Sequence, residues 1–217
     1  MIVVHIYVEG ASDKYAMENL LKPLIERKQK ENVYIRFHDS PEGDKKKSVL
    51  LKIPHKAVNI LRNNSSAIVI ALPDLYPKNK GFNHETVTEL EQGICKVFSN
   101  KLKTAGIHYD EKIRERFKVF CFKYELESLI LASKESLEKR LGVTSLKIEW
   151  RLPVEDQNHE NPPKKIVEKL FKLQNMRYTE TIDAPIILGS SHYQELTKSC
   201  RQCFKPFIDY LEQISQA

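Results

Sequence analysis

The segment IVVHIYVEGASD, residues 2–13, is the most informative stretch of the chain. Its first seven residues are almost all β-branched or apolar, and the run stops at Glu9-Gly10. A short apolar run of this composition, closed by a glycine turn, reads as a buried strand. Ser12 is placed to cap a helix, and Asp13 suits that helix's positive end. Tyr15, Ala16, Leu20, Leu21, Leu24 and Ile25 then follow helical spacing. Strand, acidic turn and helix thus stand in immediate succession.

The same unit recurs along the chain. VYIRFH at 33–38 alternates as a second strand, followed by the charged loop DSPEGDKKK at 39–47. Residues 48–62 are partly helical, with Pro54 starting or interrupting the helix. AIVIAL at 67–72 is the most apolar strand and stops at Pro73-Asp74. A helix over 84–103 carries an apolar stripe through Val87, Leu90, Ile94, Val97, Phe98 and Leu102. FKVFCF at 117–122 is a further strand, and KYELESLILAS starts another helix. Strands alternating with helices at this length predict an α/β fold with a mainly parallel sheet covered on both faces. Strand order is not fixed by the pattern. Past residue 133 the chain turns helical and polar: helix 134–141, an aperiodic stretch, helix 164–172, and a long helix near 191–214 that Pro206 should kink or divide. The expected organisation is a core over 1–132 and a helical C-terminal subdomain over 133–217, packed on the core.

Composition bounds the class. The 217 residues are 41% hydrophobic and 29% charged, the profile of a globular chain with a real core. The net charge of +6 suits contact with a polyanion without requiring it. No basic n-region precedes an apolar h-region, and no apolar run reaches the length of a membrane span, so a cytoplasmic protein with reduced thiols is expected. Cys200 and Cys203 form C-x-x-C without the second ligand pair that structural zinc needs, so core packing is the better reading. No glycine-rich phosphate loop of the G-x-x-x-x-G-K-[ST] kind occurs, which argues against an ATPase or kinase.

Ligands of parallel α/β sheets bind beyond the carboxyl ends of the strands. Three such exits carry carboxylates: Glu9, Asp74, and the pair Glu125 and Glu127. Hard oxygen donors of this kind suit Mg²⁺, which keeps several waters and accepts phosphate as a further ligand. A single carboxylate at a strand exit is usually just solvated, and Glu125 and Glu127 would also suit a helix N-terminus. The coincidence of three exits is what favours a site.

VEGASD at 8–13 resembles the first motif of Toprim domains, found in topoisomerases, primases and small nucleases. The resemblance implies a Toprim-like core in which the first Glu supports metal-dependent phosphoryl chemistry. The later D-x-D of those domains corresponds to Asp74-Leu75-Tyr76, so Tyr76 replaces the second Asp. A narrower resemblance, over nearly the whole chain, is to the Toprim-like family DUF4276. Its V-E-G, D-x-Y and E-x-E strings match Val8-Glu9-Gly10, Asp74-Leu75-Tyr76 and Glu125-Leu126-Glu127. Further matches are VEDQN at 154–158, NPPKK at 161–165, and Phe207, Tyr210 and Leu211. The family's His before E-x-E is Tyr124 here. The resemblance implies Glu9, Asp74 and Glu127 as catalytic residues and metal ligands, with Glu125 as a further ligand, and Mg²⁺ or Mn²⁺ as cofactor. It also implies a place beside an ATPase partner protein in defence against phage.

The expected activity is metal-dependent phosphodiester cleavage, with Asp74 and Glu127 as direct ligands and Glu9 as ligand or general base. The expected partner is DNA or RNA. Lys45, Lys46 and Lys47 in the second loop, and Lys164 and Lys165 after Pro162-Pro163, are the candidate nucleic-acid contacts, although such runs are commonly solvated surface. The alternative is a non-catalytic Toprim-like subunit of an ATPase complex, its metal site degraded at Tyr76. Oligomeric state is open, a homo-oligomer included.

Overall fold

The structure, a computed structural model, describes residues 1–40, 43–107, 111–157 and 160–215. The 39–47 loop and the VEDQN string each include residues outside that description. Four parallel strands form the sheet in the order β2-β1-β3-β4: β1 (Ile2–Val8), β2 (Val33–Asp39), β3 (Ala67–Ala71) and β4 (Phe117–Val119). The α/β class with a parallel sheet is as the sequence predicts.

After β1 come α1 (Ala11–Leu20) and α2 (Lys22–Lys30). The helix begins at Ala11 rather than behind a Ser12 cap, and the Asp13 carboxylate accepts the Gly10 N–H at 2.9 Å. After β2, the short α3 (Lys45–Lys47) runs through a π-helical turn, Ser48–Lys52, into α4 (Ile53–Asn63). Pro54 lies in the first turn of α4, directly after the π-helical turn, so the irregular hydrogen bonding falls where its N–H is missing. After β3, α5 (Val87–Thr104) opens on a Thr86 cap, whose hydroxyl accepts the Glu89 N–H at 3.2 Å. The short α6 (Glu111–Glu115) precedes β4. The strand expected over 117–122 pairs continuously only over three residues, then again through a bridge between Asp74 and Phe122. Pro73 has no N–H to give the ladder at the break.

The two faces of the sheet carry different layers. Val4, Ile6, Val8, Ile35, Phe37 and Ile70 pack with α1 and α2. Tyr7, Ala67, Val69 and Ala71 pack with α4 and α5. The C-terminal helices extend the first layer: α7 (Glu127–Ala132), α8 (Lys134–Leu141), α9 (Pro163–Leu173), α10 (Glu180–Gly189), α11 (Tyr193–Ser199) and α12 (Phe204–Gln213).

Two features of this layer depart from the sequence reading. First, the long helix expected over 191–214 is divided upstream of Pro206, which sits harmlessly in the first turn of α12. The cause is Glu155, a buried carboxylate. It accepts N–H groups of Gln202 at 2.6 Å, Cys203 at 2.8 Å and Phe204 at 3.2 Å, and so caps a new helix. Second, α10 forms in spite of Pro185 in its interior. It lies against α1, with Asn19 Nδ2 donating to the Pro185 carbonyl at 3.4 Å. A β-carbon at Gly189 would stand 3.2 Å from Asn19 Cβ, so the two helices approach closely there. Tertiary packing outweighs local propensity at this point. Cys200 and Cys203 are buried at the α11–α12 break.

Candidate functional site

The carboxyl ends of β1 and β3 and the chain leaving β4 open on one cleft of about 300 Å³. Glu9, Asp13, Asp74, Glu125, Glu127 and Glu180 line it, with Ser12, Lys45 and Lys164. All four carboxylates singled out in the sequence are therefore brought together, although they come from three separate connections.

Each is held by a specific contact. Glu9 Oε1 accepts the Asp74 N–H at 3.0 Å, tying the exit of β1 to the exit of β3. Glu125 Oε2 accepts the Lys164 N–H at 3.2 Å, at the start of α9. Glu127 is only 2% exposed, and its Oε1 accepts the Tyr178 hydroxyl at 3.0 Å. Across the cleft, Glu180 at the start of α10 accepts Ser12 Oγ at 3.3 Å and Lys164 Nζ at 2.7 Å. Asp13 and Glu180, absent from the sequence-level site, are as much a part of it as Glu9. For Asp13 the signal was present, since it ends VEGASD. Glu180 had none, because its helix was not expected.

Crowding of carboxylates in poorly solvated space raises their pKa. Burial pushes Glu9 up to about 7, against the Asp74 N–H and the charge of Lys46. Burial takes Asp13 to about 6, with Glu180 adding to the rise. Burial takes Glu127 to about 8, reinforced by Glu180 and Glu125. Glu125 is raised by burial as well. Asp74 is raised by burial and then by the charges of Glu9, Asp13, Glu127 and Glu125. It opens on the cleft, so water screens part of that crowding. Lys164 keeps its charge: burial alone would lower it, but the bond to Glu180 and the charges of Glu127, Glu180 and Glu125 outweigh burial. The cleft thus gathers more carboxyl groups than its two lysines can neutralise, and the excess is held in part as protonated carboxyls.

That surplus fits a hard divalent cation by donor chemistry. The spacing is not that of a closed site. Among the described residues, no three His, Cys, Asp or Glu side chains are placed so that one ion could be held by all of them. Glu9 and Glu127 are turned to hydrogen-bond donors of the protein, and side-chain rotation would be needed to close on an ion.

The lysines named from the sequence divide. Lys45 lines the cleft, its Nζ 3.5 Å from where a β-carbon on Gly10 would lie. Lys46 turns inward and is 3% exposed, with Nζ bonded to the carbonyls of Leu75 at 2.8 Å and Pro77 at 2.6 Å. It is not presented to a polyanion. Instead it clamps the turn that follows Asp74. Lys47 is exposed and does not line the cleft, and Lys165 bonds the Glu160 carbonyl at 2.9 Å on the surface. Tyr76 also stands outside the cleft lining, stacked on Tyr124 with centroids 4.5 Å apart. The two positions at which the chain departs from the Toprim and family patterns are thus in contact with each other.

Over residues 8–212 the chain matches the family described as domain of unknown function DUF4276, and it belongs to that family. No curated protein matches it. Among solved structures it is similar to the C-terminal region of the Burkholderia pseudomallei OLD protein, at 13% identity over 98% of both chains with a TM-score of 0.48. It is also similar to the C-terminal region of the Xanthomonas campestris pv. campestris OLD protein, at 12% identity over 96% of this chain and 95% of that one, with a TM-score of 0.42. No described helix is long and apolar enough to cross a membrane.

Proposed function

We propose that this DUF4276 member binds Mg²⁺ or Mn²⁺ in the acidic cleft and hydrolyses phosphodiester bonds of DNA or RNA. The observation that carries the reading is the convergence of three strand exits, Glu9, Asp74 and Glu125 to Glu127, on one cleft that also presents two lysines. Glu9, Asp74 and Glu127 would hold the cation, with Glu125 beside them. A bound cation supplies Lewis-acid stabilisation of the phosphate and an acidified water. The chain's own contribution is positioning. The Glu9–Asp74 hydrogen bond fixes two donors relative to each other, and Lys46 holds the turn behind them. Lys45 and Lys164 give the rim the positive charge that a phosphate diester needs on approach. Glu9 would serve either as a ligand or, where it is left free of the cation, as the general base.

A second reading, a non-catalytic subunit partnering an ATPase in anti-phage defence, is favoured by two observations. Tyr76 stands where a second Asp would be, and no three donors are closed on a point. Calorimetric titration with Mn²⁺, run beside cleavage assays on single- and double-stranded DNA and RNA, separates the two. The nuclease reading expects millimolar or tighter binding, and a loss of about 100-fold or more in cleavage for Glu9→Gln and Asp74→Asn. Equal cleavage by wild type and Glu9→Gln would overturn it. Absence of metal binding would leave the subunit reading.

A further inference from the structure

Among the described residues, the helix layer over the Tyr7–Val69 face of the sheet stops short of β2. α4 packs on β3 and α5 on β4, whereas the helices that pack on β2, α1 and α2, lie on the opposite face. The burial of β2 records this directly: Val33, Ile35 and Phe37 are buried, while Tyr34 and His38 are half-buried and Arg36 is exposed. His5, paired in register with Arg36, joins them from β1. The rings are ordered. His5 Nδ1 and His38 Nε2 are 3.0 Å apart, and the two rings stack at 5.2 Å and 25°. His38 also stacks on Tyr7 at 4.8 Å and 23°. Lys56, exposed on α4, bounds the shelf, its Nζ 4.9 Å from the Tyr7 ring centroid.

The charge on this shelf is of one sign. Among the described residues neither Arg36 nor Lys56 has a carboxylate partner. After burial, the groups acting on His5 are Arg36 and Lys56. Those acting on His38 are His5 and the cations Lys56, Lys14 and Arg36. Both imidazoles are held below their normal range, so at neutral pH they are uncharged rings beside fixed cations. Charged residues on an edge strand also prevent sheets from pairing edge to edge. That purpose selects charge, and does not select rings stacked between the charges.

From these residues we infer that the uncovered face of β2, formed by Tyr34, Arg36 and His38 with His5 and Lys56, is a contact surface for a single-stranded nucleic acid. The inference deepens the phosphodiester reading and rests on it for the class of ligand. Flat uncharged rings offer base stacking, and unpaired cations offer phosphate contacts, the combination that single strands require. An acidic peptide would meet the cations and leave the rings unused. Position fits as well. Tyr7 and His38 pair one register before the strand ends from which the cleft opens. From His38 back to Tyr34 the shelf runs about 13 Å, at ~3.3 Å per residue. A strand lying on it would be led to the acidic cleft.

The test is fluorescence anisotropy with a short labelled oligothymidylate, in EDTA so that no cleavage occurs, over a series of salt concentrations. For single strands each phosphate contact contributes about 0.7 to the slope of log K against log salt. Arg36→Ala/Lys56→Ala should therefore flatten the slope by about 1.4 and weaken binding roughly tenfold or more. Tyr34→Ala/His38→Ala should weaken binding with the slope unchanged, because stacking releases no counterions. Circular dichroism melts and Mn²⁺ titration of the cleft should match wild type for the charge variant, which excludes unfolding as the cause. An unchanged slope and affinity in the charge variant would overturn the inference. So would displacement of the oligonucleotide by polyglutamate at equal charge concentration, which would assign the surface to an acidic peptide. Binding lost in the charge variant, with no metal-dependent cleavage by wild type, would keep this surface and remove the nuclease reading. Cleavage sensitive to Asp74→Asn but with oligonucleotide binding indifferent to Arg36 and Lys56 would do the reverse.

Discussion

Replacing Glu127 by Gln separates the electrostatic cost of the cleft from its packing. Glutamine has nearly the same shape and keeps a carbonyl to accept the Tyr178 hydroxyl, which Glu127 accepts at 3.0 Å. What it removes is a titrating proton. The folded carboxyl is pushed up to about 8, burial first and then the charges of Glu180 and Glu125, from an ordinary value of 4.5. Between those two values the folded protein holds a proton that the unfolded chain has released. The native state then binds more protons than the unfolded state, so stability falls as pH rises, by about 1.4 kcal/mol per pH unit for one proton. From about pH 5 to about pH 7.5 the accumulated loss is on the order of 3 kcal/mol. The variant has no such proton to lose.

Urea titrations of wild type and Glu127→Gln in EDTA, at several pH values, measure this directly. The gap in unfolding free energy should widen in the variant's favour by about 1.4 kcal/mol per pH unit, and level off above about pH 8. Millimolar Mn²⁺ should narrow it, because a cation bound by the ionised wild-type cleft stabilises only the chain that keeps the carboxylate. A gap that stays constant from about pH 5 to about pH 8 would refute the reasoning. It would mean that Glu127 titrates normally in the folded protein and that the cleft is wet or already neutralised.

Lys46→Met should destabilise the protein by about 2–3 kcal/mol in urea titrations, since the buried Leu75 carbonyl and the partly buried Pro77 carbonyl lose a charged donor. The loss should grow above about pH 7, where Glu9 is ionised without its nearby cation. Gly93→Ala should lower the melting temperature, by about 1–3 kcal/mol in stability, because the new β-carbon would fall 2.1 Å from Phe82 Cε2. The cost should shrink in a Phe82→Ala background. Phe207→Ala, at a site 1% exposed, should cost about 3–5 kcal/mol. Probes of β1 and of α12 should still melt together, because both contribute to one apolar cluster, and separate transitions would instead mark 133–217 as an independent unit.

What was legible in the sequence was what periodicity and chain direction determine. The apolar runs at 2–8 and 67–72 read as buried strands, and parallel strands place all their carboxyl ends on one side. That geometry places Glu9, Asp74, Glu125 and Glu127 at the same edge of the sheet, and it is the adjacency of β1, β3 and β4 that joins them in one cleft. Illegible were features made by contacts distant in sequence. Nothing near Gln202 shows that Glu155 will cap a helix there, and nothing near Pro185 shows that α1 will hold α10 together. Glu180 reaches the cleft only through that second packing event. The direction of Lys46 was equally hidden, because a run of three lysines reads as solvated until the turn after Asp74 offers its carbonyls. These additions alter the electrostatics. With Asp13 and Glu180 included, the acidic side of the cleft outnumbers its lysines more heavily than the sequence suggested, and the raised carboxyls follow from that imbalance. A fold gains no stability by burying like charges together, and the proposed cation would neutralise them. The cost of the cleft without metal and its affinity for a cation are then two measurements of one quantity, and Glu127→Gln should reduce both.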